Sequence, residues 1–333
     1  MTTGDDYREK PARTGVPRRR LLTTAGLTVG GLGLAACSAS TDHHDMGRGQ
    51  KLRPVPTSEE HWKDVVKALG RPGNLIRGTY HHTPFPRGDL HLVSRGVPVS
   101  TGLALGSHAS FVRYDDGMVM LMGDLVVTEG ELQGMTDALQ AQGIAQTAIH
   151  KHLLSHTPEV WWTHVCAHGH DAGELARGLR AALNHTATPA HVAAAAPPKP
   201  LELDTAGIDA AMGAKGANSG EVYTTVFVRR ETIVNDGRVL PPGLGATSAF
   251  NFQPLGGGRA ALNGDLVMVA GEVQRVLSAL RHGGIEIIEL HNHGLTDEPR
   301  LFFTHVWAVG DAVTLAKAVR PALTATNVAA SSA

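Results

Sequence analysis

A histidine pattern occurs twice in this chain, at an offset of 141 positions. His150-Lys151-His152 is followed by Pro158 and His164, and His291-Asn292-His293 is followed by Pro299 and His305. A repeat of this size constrains the fold more than composition does. Each copy must form the same kind of unit and bury the same kind of apolar face. The copies overlay without gaps from Gly96/Gly237 to Ala167/Ala308, and 19 of the 45 positions from Gly123/Gly264 onward are identical. Apolar positions are exchanged, as Trp161-Trp162 for Phe302-Phe303, where volume and polarity suffice. The histidines, Asp124/Asp265, Glu131/Glu272 and Gly143/Gly284 are kept literally, as specific chemistry or backbone geometry requires.

Each copy reads as α+β. Thr57-Ser58-Glu59-Glu60 resembles a capping box, and Trp62, Val65, Val66 and Leu69 then share one helical face before Gly70. Residues 222–234, 248–253 and 259–269 are rich in strand-forming side chains, with turn signals at Asn235-Asp236-Gly237 and at Gly256-Gly257-Gly258. In the first copy the matching strands are 110–114 and 118–127. Glu272, Val273, Val276, Leu277 and Leu280 have helical spacing, and Gly283-Gly284 ends that helix. A β-branched strand, 285–293, delivers the histidines, and 300–309 is the next strand. Asp171 and Asp311 are placed to cap the last helix of each copy. The expected order is β-β-β-α-β-β-α, twice, with antiparallel sheets covered by helices and the two repeats packed as a pseudo-two-fold pair.

Alternate residues of a strand share a face, so Glu289, His291 and His293 point the same way. A short loop returns the next strand beside them and sets His305 opposite, with cross-strand Cβ atoms about 5 Å apart. Three imidazoles so placed can close on one ion, and the same holds for His150, His152 and His164 in the first copy. Glu272 and Glu131, at the starts of equivalent helices, are candidates for a further ligand or for a general base. Three histidines plus a carboxylate suit a divalent transition metal: Zn, Mn, Fe or Cu. Against this stand plainer readings, in which the histidines merely pack in the core. Asp124 and Asp265 read more readily as turn residues, and Arg300 as an anion clamp or a surface charge. The second copy, with Asn292, Arg300 and Trp307, is the better candidate for a working site.

The first residues carry other signals. Pro17-Arg18-Arg19-Arg20-Leu21-Leu22 resembles a twin-arginine motif, and the apolar stretch 21–36 ends in Leu34-Ala35-Ala36-Cys37, which resembles a lipobox. Sixteen residues at about 1.5 Å each fall short of a bilayer core of ~30 Å. The expected organisation is a signal peptide at 1–36, a lipidated tether at 37–54, repeat 1 at 55–185, an Ala/Pro linker at 186–200 and repeat 2 at 201–326. Lipidation of Cys37 would anchor the protein to the outer face of the cytoplasmic membrane. It would leave Cys166 as the sole remaining thiol, so the core must supply the stability. His43-His44-Asp45-Met46 reads as part of a solvated tether with weak metal affinity. A net charge of −1 gives no electrostatic case for nucleic-acid binding.

The run Gly264-Asp265-Leu266, Glu272, Gly284-Ile285, His291-Asn292-His293, Pro299-Arg300, His305 and Gly310-Asp311 resembles the LppY/LpqO family of bacterial proteins, many of them lipoproteins. The resemblance spans both copies, and the first departs from it at Lys151 and Glu159. It implies a duplicated domain and an envelope location, and it supplies no reaction. Three functions stand open: a metal-dependent enzyme with hydrolytic or lyase chemistry on a small extracellular molecule, a non-catalytic metal- or ligand-binding lipoprotein, and a structural envelope protein.

Overall fold

The computed structural model describes residues 51–190 and 200–331. The arginine motif, Cys37, His43-His44-Asp45-Met46 and most of the linker lie outside the described residues. Repeat 1 runs α1 (Lys63–Leu69), β1 (Asn74–Ile76), β2 (Tyr80–Pro86), β3 (Gly106–Arg113), β4 (Val119–Thr128), α2 (Glu129–Ala141), β5 (Ala145–His150), β6 (Val160–Gly169) and α3 (Ala172–Leu183). Repeat 2 runs α4 (Thr205–Met212), β7 (Ala217–Ser219), β8 (Val222–Arg229), β9 (Thr247–Pro254), β10 (Arg259–Val269), α5 (Val273–His282), β11 (Glu286–His291), β12 (Leu301–Asp311), α6 (Ala312–Thr324) and β13 (Val328–Ala330).

The architecture is mixed α/β, with six α-helices among the described residues, two large antiparallel sheets, and two small sheets of two and three strands. The strand order is β1-β2-β3-β4-β6-β5 in one sheet and β7-β8-β9-β10-β12-β11 in the other, with β13 added beside β8. Two differences from the sequence reading follow from short elements. Each repeat opens with a helix and then a hairpin, so the first expected strand is a pair. β1 and β7 are three-residue strands, too short to show a period of two. Residues 222–234 also do not form one strand: β8 ends at Arg229, and Val234-Asn235 joins a separate ribbon with Arg238-Val239. Ser58, rather than Thr57, caps a short 3-10 turn, Glu59–Trp62, that leads into α1, with His61 at its third position. Asp171 and Asp311 do cap α3 and α6, accepting from Gly173 and Glu174 and from Thr314.

Alternation along the central strands creates two kinds of core. In β4, Leu121, Leu125 and Val127 join Leu132, Met135, Leu175 and Leu179 of the helices. The opposite parity, Met120 and Met122, packs on Ile233, Leu240, Val267, Leu301 and Phe303 of the other repeat. Val126 and Trp162 likewise meet Val222, Ala261 and Trp307. Each sheet therefore has helices on one face and the partner repeat on the other. Asp124 shares the inward parity of Met122 and Val126, and His164 is its register partner on β6. Asp265 and His305 are paired in the same way on β10 and β12. The neighbouring glycines are close-packing positions: a Cβ on Gly123 would lie 2.7 Å from the His108 carbonyl, and one on Gly264 would lie 2.8 Å from the Phe250 ring.

Phe250 is fully buried against the helices of repeat 2. Phe250→Ala is expected to lower the unfolding free energy by about 3–5 kcal/mol, read from denaturant melts. A loss below 1 kcal/mol would mean that this core is not sustained by the ring.

Candidate functional site

The inward faces bring all six predicted histidines into one cluster between the repeats. β5 and β11 each carry a register shift, between Gln146 and Ala148 and between Ile287 and Glu289. These equivalent irregularities re-aim the residues that follow. β11 ends at His291, so His293 lies just beyond the strand. Hydrogen bonds between the repeats fix these segments. Asn292 Nδ2 donates to the Thr147 carbonyl at 2.9 Å, Asn263 Nδ2 donates to the His152 carbonyl at 2.7 Å, and the Thr147 hydroxyl donates to the His293 carbonyl.

Ring centroids of His150 and His291 are 4.3 Å apart, those of His152 and His305 3.7 Å, and those of His164 and His293 3.9 Å. Every one of these pairs joins the two repeats. Two of the three candidate ligand groups, His150 with Glu289, His291 and His305, and His164 with His291 and His293, draw on both repeats, while the third, Asp124 with His150 and His152, lies within repeat 1. The six histidines form one cluster shared by the two repeats.

The carboxylates at the cluster are Asp124, Asp265 and Glu289. His152 Nε2 is 3.2 Å from Asp124, and His150 Nε2 is 3.4 Å from it. Asp265 lies 3.8 Å from His293 Nε2 and 3.9 Å from His305 Nδ1. Glu289 lies 3.2 Å from His150 Nδ1 and 3.4 Å from His291 Nδ1. Most of these approaches do not meet hydrogen-bond geometry. Within the cluster, eight imidazole nitrogens are buried without a hydrogen-bond partner: both on His150, His291 and His305, and Nε2 on His164 and His293. One oxygen each of Asp124, Asp265 and Glu289 is in the same condition. At about 1–3 kcal/mol for each unsatisfied group, such a set rivals a domain's whole stability of about 5–15 kcal/mol. The donor chemistry fits a transition metal: imidazoles with carboxylates, ligand atoms within 4.8 Å of one another in each of three overlapping groups.

Glu131 and Glu272 are not part of this cluster. Glu131 accepts from Arg87 Nη1 at 2.9 Å and from the backbone amides of Thr128 and Ala187. Glu272 binds buried Arg229 and accepts from the amides of Val269 and Asn327. Each glutamate ties a helix start to an arginine at or just beyond a strand end, with Asp89 or Glu231 also bound to the guanidinium. This corrects their assignment as catalytic groups, because their oxygens are consumed by these bonds. Arg300 is exposed and donates to the Leu295 carbonyl, away from any anion-binding role in the cluster.

Burial and mutual repulsion keep most of these imidazoles neutral. Burial, then Asp124's opposing pull and the neighbouring histidines, leaves His164 at about 3. Burial lowers His152, His291, His293 and His305 as well. His150 runs the other way: against burial, Asp124 and Glu289 raise it to about 9. The two aspartates split too. Against burial, His164 and His150 hold Asp124 well below the usual carboxylate range, while burial pushes Asp265 well above it.

A cavity of about 450 Å³ opens against the cluster, with Asp124, His152, His164, His293 and His305 along one side. The cavity is also lined by His82, His108 and Ser110 of repeat 1 and Asn251 of repeat 2. His82 Nδ1 lies 3.0 Å from the Ser110 hydroxyl, and burial depresses His82 to about 3. His82 and His108 were not found from the sequence because they stand in one copy only. Their register equivalents are Thr224 and Ala249. A shallower depression of about 680 Å³ beside α5 and α6 contains none of the six cluster histidines.

These features define a duplicated α/β protein with a buried histidine–carboxylate centre between its halves. The chain belongs to the family described as Domain of Unknown Function (DUF1259), which it matches over residues 63–185 and again over 206–325. No curated protein matches it. Among solved structures, the trimeric bacterial microcompartment shell protein PduB is similar at 11% identity and a TM-score of 0.18, covering 74% of this chain and 86% of that one. EtuB from Clostridium kluyveri is similar at 11% identity and TM-score 0.18, covering 69% and 89%. The double-ringed shell protein MSM0271 of the RMM microcompartment gives 13%, 0.18, 71% and 90%. These likenesses are too distant to carry a functional argument.

Two outcomes are expected. In metal-stripped protein, histidines held below their unfolded value of about 6.5 withhold protons that the unfolded chain accepts. Stability is therefore lost as pH falls below about 6.5, and His164 contributes down to about 3. His150, raised to about 9, contributes the opposite trend, lost as pH rises through that value. With five lowered and one raised, thermal midpoints should drop steadily from pH 7 to pH 4, and a flat profile would refute the burial of neutral imidazoles. Separately, Glu272→Gln should cost about 3 kcal/mol, as for a broken buried pair, with bound metal unchanged. Loss of metal without loss of stability would return Glu272 to the centre.

Proposed function

We propose that this is an exported lipoprotein of the LppY/LpqO type, anchored to the outer face of the cytoplasmic membrane through lipid on Cys37. Its repeats pack as a pseudo-two-fold pair and hold a divalent transition metal (Zn, Mn, Fe or Cu) for hydrolytic or lyase-type chemistry on a small extracellular molecule. The observation that carries the metal centre is the convergence of buried imidazole nitrogens that have no hydrogen-bond partner. The pseudo-two-fold reading is supported by the ring pairs: an offset of 141 turns His152·His305 into His293·His164 and leaves His150·His291 as itself.

His150, His152, His164, His291, His293 and His305 would hold the metal, with Asp124, Asp265 and Glu289 supplying negative charge. A cation held there would supply Lewis acidity toward a bound carbonyl, hydroxyl or water. The chain's own groups do the rest. The cavity is of the size that admits a small molecule. The Leu103, Met122 and Trp162 side chains on its wall limit water around the bound ligand. Neutral His82, its Nδ1 beside the Ser110 hydroxyl, can hydrogen-bond a bound ligand at its other nitrogen. Thr224 stands at the equivalent position in repeat 2, so that role belongs to repeat 1 alone.

The catalytic reading is favoured over simple metal storage by the cavity, since a storage site has no need of adjoining space lined by further histidines. No helix among the described residues is long and apolar enough to cross a membrane, so the lipid on Cys37 is the anchor proposed here. The full chain, isolated from membranes with detergent, should contain at least one transition-metal ion per chain, with the content lowered at least twofold by His291→Ala and by His305→Ala. Trace metal indifferent to both changes would end the proposal. Cys37→Ala should release the protein from the membrane fraction.

A further inference from the structure

The six histidines divide into two triads of matching shape. His150, His152 and His305 have centroid separations of 4.9, 3.7 and 5.3 Å. His291, His293 and His164 have separations of 5.3, 3.9 and 5.7 Å. The offset of 141 carries one triad onto the other. Each triad takes the closely spaced pair of one repeat and the lone strand histidine of the other.

We propose that the centre is built for two cations, one in each interchanged triad, bridged by Glu289. This rests on the metal-centre reading above and adds its nuclearity and ligand sets. Three observations favour two ions over one. First, the single four-ligand group of His150, Glu289, His291 and His305 leaves Nε2 of His164 and of His293 buried and unpartnered. Two ions give both a use. Second, His150 and His291 each have both nitrogens buried without a hydrogen bond. Glu289 approaches Nδ1 of both, at 3.2 and 3.4 Å, and so stands between the triads. Third, three carboxylates, Asp124, Asp265 and Glu289, stand around the six imidazoles, enough acidic groups to offset most of the charge of two divalent ions.

Glu289 also explains an asymmetry between the copies. Its equivalent is Ala148. A carboxylate that reaches the same atom of two equivalent histidines needs to come from one copy only. A second at Ala148 would crowd the first and add like charge. Carboxylate-bridged ion pairs about 3.5–4 Å apart are a recurrent arrangement for activating water and for clamping two oxygens of a substrate.

The test uses the full chain, stripped with chelator and reloaded with Mn(II), then desalted. Metal is counted by elemental analysis and its magnetic state by electron paramagnetic resonance. Two ions per chain with an exchange-coupled spectrum are expected. His164→Gln and His305→Gln should each retain about one ion, with the uncoupled six-line spectrum, and the double variant none. Glu289→Ala should keep both triads but lose the coupling and weaken the second ion at least tenfold. Circular dichroism checks that each variant folds, and the wild-type count and spectrum decide the matter even if a variant does not. One ion per chain, lost in His305→Gln and kept in His164→Gln, overturns the two-ion proposal while leaving the metal centre. No ion at all overturns both.

Discussion

The desolvation of six imidazoles between two sheets is the constraint on which the rest of the molecule depends. Apolar clusters on either side of the histidines, one around Met122 and Phe303 and the other around Trp162 and Trp307, exclude water from the middle. The same packing that stabilises the contact between repeats therefore strips the histidines of their hydration. Burial makes an imidazole a neutral, available ligand, and it also makes an unligated one expensive to keep. Folding energy and metal affinity are linked in such a site, because the apolar walls hold the ligands whether or not an ion is present.

The buried arginines solve a separate problem. Arg87 and Arg229 each join a sheet to the start of a helix through Glu131 or Glu272. They hold the outer face of each sheet in register with its helices, while the inner face carries the centre. The two polar systems lie on opposite ends of the argument from sequence. Retention in both copies marked the glutamates and the histidines equally, although the glutamates answer to arginines and the histidines to one another.

Much of the architecture was legible because it is local. Strand 259–269 emerges as β10 with the same limits, and the helix stop at Gly283 and the caps at Asp171 and Asp311 follow from residue chemistry. The histidines were legible as a set because they sit on alternating positions. What alternation cannot say is which surface a strand face meets. It put His305 with His291 and His293, whereas His305 lies closest to His152. Gly123-Asp124 and Gly264-Asp265 looked like turns because glycine and aspartate favour turns. They are mid-strand, with glycine admitting a close neighbour and aspartate facing the histidines. The arginine partners escaped notice because Arg87/Arg229 and Asp89/Glu231 are offset by 142 rather than 141, one residue outside the gapless overlay.

A lone repeat could in principle meet a second copy of itself and assemble both triads, but every residue would then appear twice. Covalent linkage of the halves removes that obligation. It permits Glu289 opposite Ala148, and His108 where the other half has Ala249. The protein can thus keep a symmetric grip on its ligands while presenting different walls to each side. A molecule entering the cavity meets a handed environment, and its two ends are told apart by which half of the chain they touch.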